Sequence, residues 1–139
     1  MTLKTGTIKQ RILIPFVKPQ EVYNALVDPK KHSAFTGSRA TMNARPGGSF
    51  TAWDDYITGK NLELMKGEKI VQEWKTSEWP QDYPSSVLQF TLTSVKGGTE
   101  IMMVHSKVPA SQVEKYREGW VSAYWDPLKK YFLKKTEKS

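Results

Sequence analysis

The feature that most constrains this fold is an amphipathic segment near the end of the chain, "ASQVEKYREGWVSAYWDPLKKYFLKK" at residues 110–135. Its apolar and aromatic side chains recur every three or four residues, at Val113, Tyr116, Trp120, Tyr124 and Leu128. That spacing is typical of an α-helix with one continuous apolar face. Such a face has to be buried, so the rest of the chain must supply an apolar surface of matching length.

Pro127 interrupts this predicted helix. A proline inside a helix cannot donate a backbone hydrogen bond, and it costs on the order of 3 kcal/mol there. It lies between Trp120 and Tyr124 on one side and Leu128 and Phe132 on the other. We therefore predict a kink at Pro127 that bends the helix to follow a curved sheet.

Strand patterns dominate the segments before that helix. Residues 7–14, "TIKQRILI", alternate between apolar and polar side chains, as expected for a half-buried strand. Between residues 40 and 107, segments rich in β-branched and aromatic residues are separated by short turns: "SFTAW", "ITGKNLEL", "KIVQEWKT", "VLQFTLTSV" and "TEIMMVHSKV". Alternation places three sets on shared faces, namely Ile70, Gln72 and Trp74, then Leu88, Phe90 and Leu92, then Ile101, Met103 and His105. "SEWPQDYPSS" at residues 77–86 contains two prolines and no periodicity, which predicts a longer loop.

Two short helices are predicted between the first strand and this meander. Pro19 suits the first position of a helix, where its missing N–H has no partner to lose. Asp28 before Pro29 is typical of a helix N-cap followed by a first-turn proline, and Gly37 marks the end of this second helix.

The order of these elements predicts an α+β fold. A strand and two short helices precede five or six antiparallel strands, and only the C-terminal helix is long enough to cover the sheet. With 139 residues and 12% aromatic residues, the chain can bury one core of ordinary size. We predict a single domain over residues 1–139, with its core at about residues 5–132 and a basic C-terminal end at residues 133–139.

Several classes of site are excluded by residue content. Cysteine is absent, which rules out disulfides, thiolate metal sites and cysteine nucleophiles. The two histidines are far apart in sequence, so we expect no metal, and the glycine pairs lack the lysine and serine or threonine of a phosphate-binding loop. We expect no cofactor. No apolar run is long enough for a membrane span or a secretory signal, so we expect a cytoplasmic protein without a membrane partner.

The net charge of +7 favours anionic partners. The densest basic cluster lies at the C-terminus, at Lys129, Lys130, Lys134, Lys135 and Lys138. Two interpretations remain open, a solvated helix face or an electrostatic docking site. Nucleic acid is not expected as the partner, because Trp74, Phe90 and Trp120 fall on inward faces rather than on an exposed stacking surface.

The two histidines are the side chains whose unperturbed pKa lies near neutrality. His32 falls in the short-helix region, where we expect it at the surface. His105 shares its strand face with Ile101 and Met103. We favour a hydrogen-bonded core histidine there, while a ligand contact or a general base acting in a cavity remains an alternative. No catalytic motif is present, and we do not expect an enzyme.

Two candidate sites follow from the predicted faces. The space between sheet and helix is the first, and its candidate lining is Phe35, Gln72, Trp74, Phe90, Met103, His105, Trp120 and Tyr124. These side chains either line a cavity or fill the core. The second is an apolar patch on the opposite sheet face, formed by Trp53, Val71, Met102 and Val104. A bulge after the preceding glycine pair would turn Trp53 away from this patch.

The motifs of this chain resemble a known family. "AFTG", "GGSF", "KIVQEWK" with the later "EWP", and "GW" followed by "YWDPLK" occur in an order and spacing similar to those of the START-like helix-grip superfamily. The closest resemblance is to the C-terminal domain of the activators of 90-kDa heat-shock protein ATPase, over about residues 5–132. The resemblance implies an apolar cavity between sheet and helix. It also implies either a co-chaperone-like role, binding a 90-kDa heat-shock protein and stimulating its ATPase, or the binding of a small hydrophobic molecule.

Overall fold

The fold is built on one seven-stranded antiparallel sheet with every helix on the same face. The computed structural model describes residues 3–138, and side chains through Lys134. In chain order its elements are β1 (Thr5–Pro15), α1 (Pro19–Val27), α2 (Pro29–Thr36), β2 (Thr41–Met42), β3 (Ser49–Ala52), β4 (Ile57–Met65), β5 (Lys69–Thr76), β6 (Ser86–Val95), β7 (Gly98–Pro109), a 3₁₀ turn (Ala110–Gln112), α3 (Val113–Trp120), a π turn (Val121–Trp125) and α4 (Asp126–Lys138). The predicted α+β arrangement is confirmed.

The sheet is a meander of β2 to β7 that the first strand, β1, extends at one edge. The strand order is β1-β7-β6-β5-β4-β3-β2, so consecutive strands from β2 to β7 are neighbours and β1 pairs with β7. The faces predicted for β5, β6 and β7 are confirmed, because the nine predicted inward residues are all buried. Strand β2 is absent from the sequence-based prediction, since a two-residue strand is too short to show alternation.

Both short helices begin where the sequence predicts, and the second also ends there. The Asp28 carboxylate accepts hydrogen bonds from the backbone N–H groups of Lys30 and Lys31, as an N-cap should. Gly37 ends α2 with a left-handed backbone (φ 80°), a conformation that glycine adopts without steric cost. Helix α2 packs on α4, so these caps fix one side of the space beneath the C-terminal helix.

The C-terminal helix (α3, the π turn and α4 together) contains a wider turn directly before Pro127. The Asp126 N–H bonds the Val121 carbonyl, five residues back instead of four. Pro127 is then the second residue of α4, a first-turn position in which proline is tolerated. The local distortion that the proline requires is therefore a π turn. The bend of the helix axis remains a prediction.

The π turn also explains a buried residue that the α-helical period misses. Trp125 and its neighbour Tyr124 are both buried, although adjacent residues of a regular α-helix point about 100° apart. The wider turn brings Trp125 back beneath Trp120, and their rings stack with centroids 5.6 Å apart. The Trp125 indole N–H donates to Gln10 Oε1 on β1 (2.6 Å), which ties the helix to the sheet edge.

The C-terminal lysines are exposed wherever their side chains are described. Of the C-terminal basic cluster, Lys129, Lys130 and Lys134 are exposed, whereas the side chains of Lys135 and Lys138 lie outside the described residues. Among the described helices, none has both the length and the apolar character needed to cross a bilayer.

Candidate functional site

A pocket of about 330 Å³ lies between the sheet and the first half of the C-terminal helix. It is half open to solvent, and no charged residue lines it. Six aromatic side chains supply most of the wall, together with three smaller residues: Trp53, Tyr56, Trp74, Tyr116, Trp120 and Tyr124, with Ile57, Gly119 and Ala123. A largely apolar cavity of this size is typical of small-molecule sites.

Two small residues on the helix leave room for this pocket. Gly119 and Ala123 lie one helical turn apart on the face toward the sheet. A Cβ added at Gly119 would meet no neighbouring heavy atom within 4 Å. Larger side chains at these two positions would occupy the pocket, so its volume depends directly on their size.

Trp74 forms the centre of the sheet wall. Its ring centroid lies 5.3 Å from that of Tyr116 and 5.8 Å from that of Trp120, and it packs edge-on against the His105 ring (4.6 Å). The Trp74 side chain is 3% exposed. These contacts hold the ring in one orientation, so the wall is rigid.

A tight turn between β3 and β4 supplies the opposite rim. Trp53, Asp54 and Asp55 all have left-handed backbones, with φ of 53°, 54° and 72°. Side-chain bonds hold this strained turn, since Asp54 accepts from the Arg39 N–H (3.0 Å) and Asp55 pairs with the Arg39 guanidinium (2.7 Å). The turn moves Trp53 away from strand alternation and onto the pocket side of the sheet. Trp53 therefore does not join Val71, Met102 and Val104.

The Trp53 indole nitrogen is the buried side-chain nitrogen or oxygen without a hydrogen-bond partner among the described residues. It lies near the Tyr124 hydroxyl without reaching hydrogen-bond geometry. Even so, its proximity lowers the pKa of Tyr124 and so offsets part of the rise that burial causes. The indole N–H is neutral, so it introduces no charge into the pocket wall.

His105 is a fully engaged core residue. Its Nδ1 accepts from the Trp120 indole N–H (3.1 Å), which places the ring proton on Nε2, and Nε2 donates to Ser86 Oγ (2.7 Å). Ser86 in turn donates to the Trp74 carbonyl (2.7 Å). Burial lowers the pKa of His105 to about 3. The ring therefore stays neutral and positions Trp120.

His32 is buried, and its expected surface position is wrong. Helix α2 packs on α4 and carries His32 against Tyr124, a long-range contact that the local sequence does not show. His32 Nδ1 donates to the Leu26 carbonyl (3.0 Å), and Nε2 accepts from the Tyr124 hydroxyl (3.1 Å). Burial lowers the pKa of His32, against the opposing effect of the Leu26 bond, and burial raises the pKa of Tyr124.

The structure divides the eight predicted cavity residues into three groups. Trp74, Trp120 and Tyr124 line the pocket. Gln72 and Phe90 instead border a separate void of about 20 Å³, close to the size of one water molecule. The remaining three are packed elsewhere in the core: Phe35 against Tyr124 and Tyr131, His105 against Trp74, and Met103 opposite Phe90 on the neighbouring strand. Gln72 donates to Asn61 Oδ1 (2.9 Å) and does not reach the pocket.

Several lining residues are missing from the sequence-based set. Tyr116 lies on the predicted apolar helix face, and Gly119 and Ala123 flank it at helical spacing, which is a signal the sequence contains. Tyr56 and Ile57 follow the strained turn, where strand alternation gives no guidance.

The outer face of the sheet, away from the helices, carries the rest of the predicted patch. Val71, Met102 and Val104 are half-buried there. Val104 pairs with Lys9 across β7 and β1, and Met102 pairs with Arg11. An apolar centre therefore lies beside two exposed cations. We call this surface the outer patch.

Metal chemistry has no visible support among residues 3–138, where no three histidine, cysteine, aspartate or glutamate side chains come together. The histidines have both ring nitrogens engaged in hydrogen bonds. Of the two candidate sites predicted from the sequence, the described residues thus form a pocket and an outer patch.

Comparison with known proteins gives consistent matches over most of the chain. A sequence model of the family described as "Activator of Hsp90 ATPase homolog 1-like protein" matches residues 17–133. The human Activator of 90 kDa heat shock protein ATPase homolog 1 is 29% identical over 126 residues, covering 91% of this chain and 36% of its own length. The Dictyostelium discoideum homologue is 31% identical over 131 residues, covering 94% of this chain and 33% of its own. The chain thus spans about a third of the length of these curated relatives.

A solved structure shares the fold. The crystal structure of an HSP90 activator from Plasmodium falciparum superposes with a TM-score of 0.75 at 25% identity, covering 86% of this chain and 89% of that one. A sheet that grips a long C-terminal helix is therefore common to both chains.

Proposed function

Because the chain belongs to the family of Activator of Hsp90 ATPase homolog 1-like proteins, we propose that it is a cytoplasmic, non-catalytic module that binds a 90-kDa heat-shock protein and stimulates its ATPase. The observation that carries this proposal is the family match over residues 17–133. The human and Dictyostelium discoideum relatives, both named as activators of 90 kDa heat shock protein ATPase, support it. This chain spans about a third of the length of those relatives, so the chaperone role of this segment alone is what an experiment has to test.

The outer patch is the surface we assign to the chaperone. Val71, Met102 and Val104 provide an apolar centre. Lys9 and Arg11 add positive charge at its edge, where Arg11 Nε lies 3.8 Å from the Glu100 carboxylate. Protein interfaces commonly combine such a centre with a polar rim. The net charge of +7 favours an acidic surface on the partner and faster encounter with it.

A charge-reversal pair tests this assignment. K9E/R11E should weaken binding to a purified 90-kDa heat-shock protein by at least about tenfold and abolish ATPase stimulation. K129E/K130E on α4 is the matched control, because it makes the same change in net charge at exposed positions elsewhere. Calorimetry and a coupled ATPase assay would measure both. Absence of binding by the unmodified chain would contradict the proposal, and equal losses in the two variants would contradict the outer patch.

A second candidate function is the binding of a small hydrophobic molecule in the pocket. The specific observation that favours it is the open volume of about 330 Å³ beneath Gly119 and Ala123. Titrating the protein with an uncharged fluorescent apolar dye such as N-phenyl-1-naphthylamine tests access to the pocket. A123F should suppress the dye signal, while S122F, one residue away on the exposed face, should leave it intact.

A further inference from the structure

Apart from the Trp53 indole N–H, which has no hydrogen-bond partner among the described residues, the polar groups of the pocket wall are already used inside the protein. The three lining tyrosines each direct their hydroxyl to a protein partner: Tyr124 to His32, Tyr116 to Thr76 and Gln112, and Tyr56 to Glu78. An incoming carboxylate, phosphate or ammonium group would therefore find no free counter-charge. The unpartnered donor in the lining, the Trp53 indole N–H, is neutral and offsets only a small part of the cost of burying a charge. Burying an unpaired charge is costly, so charged ligands are disfavoured.

The nearest ion pair does not change this conclusion. Lys115 pairs with Glu78 beside the pocket, and neither residue belongs to the lining. Lys115 also lies over the Tyr116 ring, with its Nζ 5.7 Å from the ring centroid. Each of these two charges is thus satisfied by the other, and the cation covers an aromatic face that an external cation would otherwise use.

The walls are aromatic and held in fixed orientations. The Trp74 ring is nearly perpendicular to Tyr116 (83°) and tilted by 34° to Trp120. Such walls present both ring faces and ring edges, the two surfaces that an aromatic ligand contacts best. A flexible chain loses rotational freedom on binding, and a rigid wall cannot adapt its shape to offset that entropy cost.

We propose that the pocket takes an uncharged, flat, ring-shaped organic molecule, recognised by shape and ring contacts rather than by ion pairing. This inference rests on the second candidate function and names its ligand class. The small size of the pocket and its half-open form suit a molecule of a few fused rings.

Three naphthalene probes of nearly equal size test the role of charge. Naphthalene-2-carboxamide should bind at least about tenfold more tightly than naphthalene-2-carboxylate and 2-naphthylmethylammonium, because only the charged probes lose hydration without gaining a partner. Titrations of ¹⁵N-labelled protein would follow the indole N–H signals of Trp53 and Trp120. Tighter binding of either charged probe would overturn the proposal.

Decan-1-ol tests the role of shape. It is uncharged and largely apolar but flexible, so the carboxamide should bind about three- to tenfold more tightly. Equal or tighter binding of the alcohol would overturn the flat-ligand inference.

Two variants separate this inference from the function on which it rests. A123F should abolish binding of the carboxamide, whereas S122F should retain it. If no probe binds the unmodified protein, ligand binding itself fails as a function. If all four probes bind alike and A123F blocks them, ligand binding stands and the proposed ligand class is wrong. If A123F retains the carboxamide, the site is not this pocket.

Discussion

The two halves of the contact between helix and sheet use aromatic residues to opposite effect. In the half formed with α4, Leu128 is fully buried and the Phe132 side chain, one helical turn later, is also buried, so the space is filled. In the half formed with α3 and the π turn, similar rings surround an open pocket. The difference lies on the helix, where the open half has Gly119 and Ala123. Small helical residues, more than the abundance of rings, decide whether an aromatic layer becomes core or pocket.

The largest effect should come from emptying the filled half. Leu128→Ala removes a side chain with 0% exposure and should cost about 3 kcal/mol of unfolding free energy, lowering the melting temperature by roughly 10 °C. Leu133→Ala on the same helix is the control, because Leu133 is 49% exposed and should cost less than about 0.5 kcal/mol. Urea unfolding would measure both. Similar losses in the two variants would mean that this half is not tightly packed.

A smaller effect should come from acid, which acts on the two buried histidines that contact Tyr124 and Trp120 in the open half. The folded protein holds His32 and His105 neutral, with the pKa of His105 lowered to about 3, while the unfolded chain takes up protons near pH 6.5. Stability is therefore complete above that pH and falls as the pH drops below it. From pH 7 to pH 5, His105 alone should cost about 2 kcal/mol of unfolding free energy.

Urea midpoints at pH 7, 6 and 5 would measure this loss. His32→Gln should reduce the slope of unfolding free energy against pH, since one of the two buried neutral rings is gone. A flat profile in the unmodified protein would contradict the two neutral, buried imidazoles.

The smallest effect should come from adding one methyl group to the open half. Gly119→Ala should raise the unfolding free energy by about 0.5–1 kcal/mol, because glycine weakens a helix and the added Cβ meets no atom within 4 Å. Gly97→Ala is the matched control. It also meets no atom within 4 Å, but its φ of 92° is strained for alanine and should reverse the sign. A loss of stability in Gly119→Ala would mean that the pocket is less open than described.

Sequence patterns predicted the elements whose period is regular. Alternation placed the inward faces of β5, β6 and β7 correctly, and the caps at Asp28 and Gly37 marked α2. The period failed wherever the backbone departed from it. Three left-handed residues moved Trp53 to the pocket side, and the π turn brought Trp125 into the core.

Long-range packing accounts for the other differences between sequence and structure. His32 is buried only because α2 meets α4, and Gln72 pairs with Asn61 on the neighbouring strand. For the candidate site, the sequence indicated Trp74, Trp120 and Tyr124 as lining residues. It could not show whether those rings would touch, because that depends on a few ångströms between elements far apart in the chain.

The pairing of β1 with β7 has a consequence for the order in which the chain assembles. Thr5 pairs with Pro109 and Pro15 with Gly98, so β1 can pair only after β7, the last strand in the sequence, has formed. Strands β4 to β7 can instead form from hairpins between consecutive strands. Closing so long a loop is slow compared with closing a hairpin. Ile12→Val in β1 should therefore speed unfolding and leave the folding rate nearly unchanged, while Ile70→Val in β5 should slow folding, as stopped-flow kinetics would show. We therefore expect the N-terminal strand to be the last strand to pair when the sheet folds.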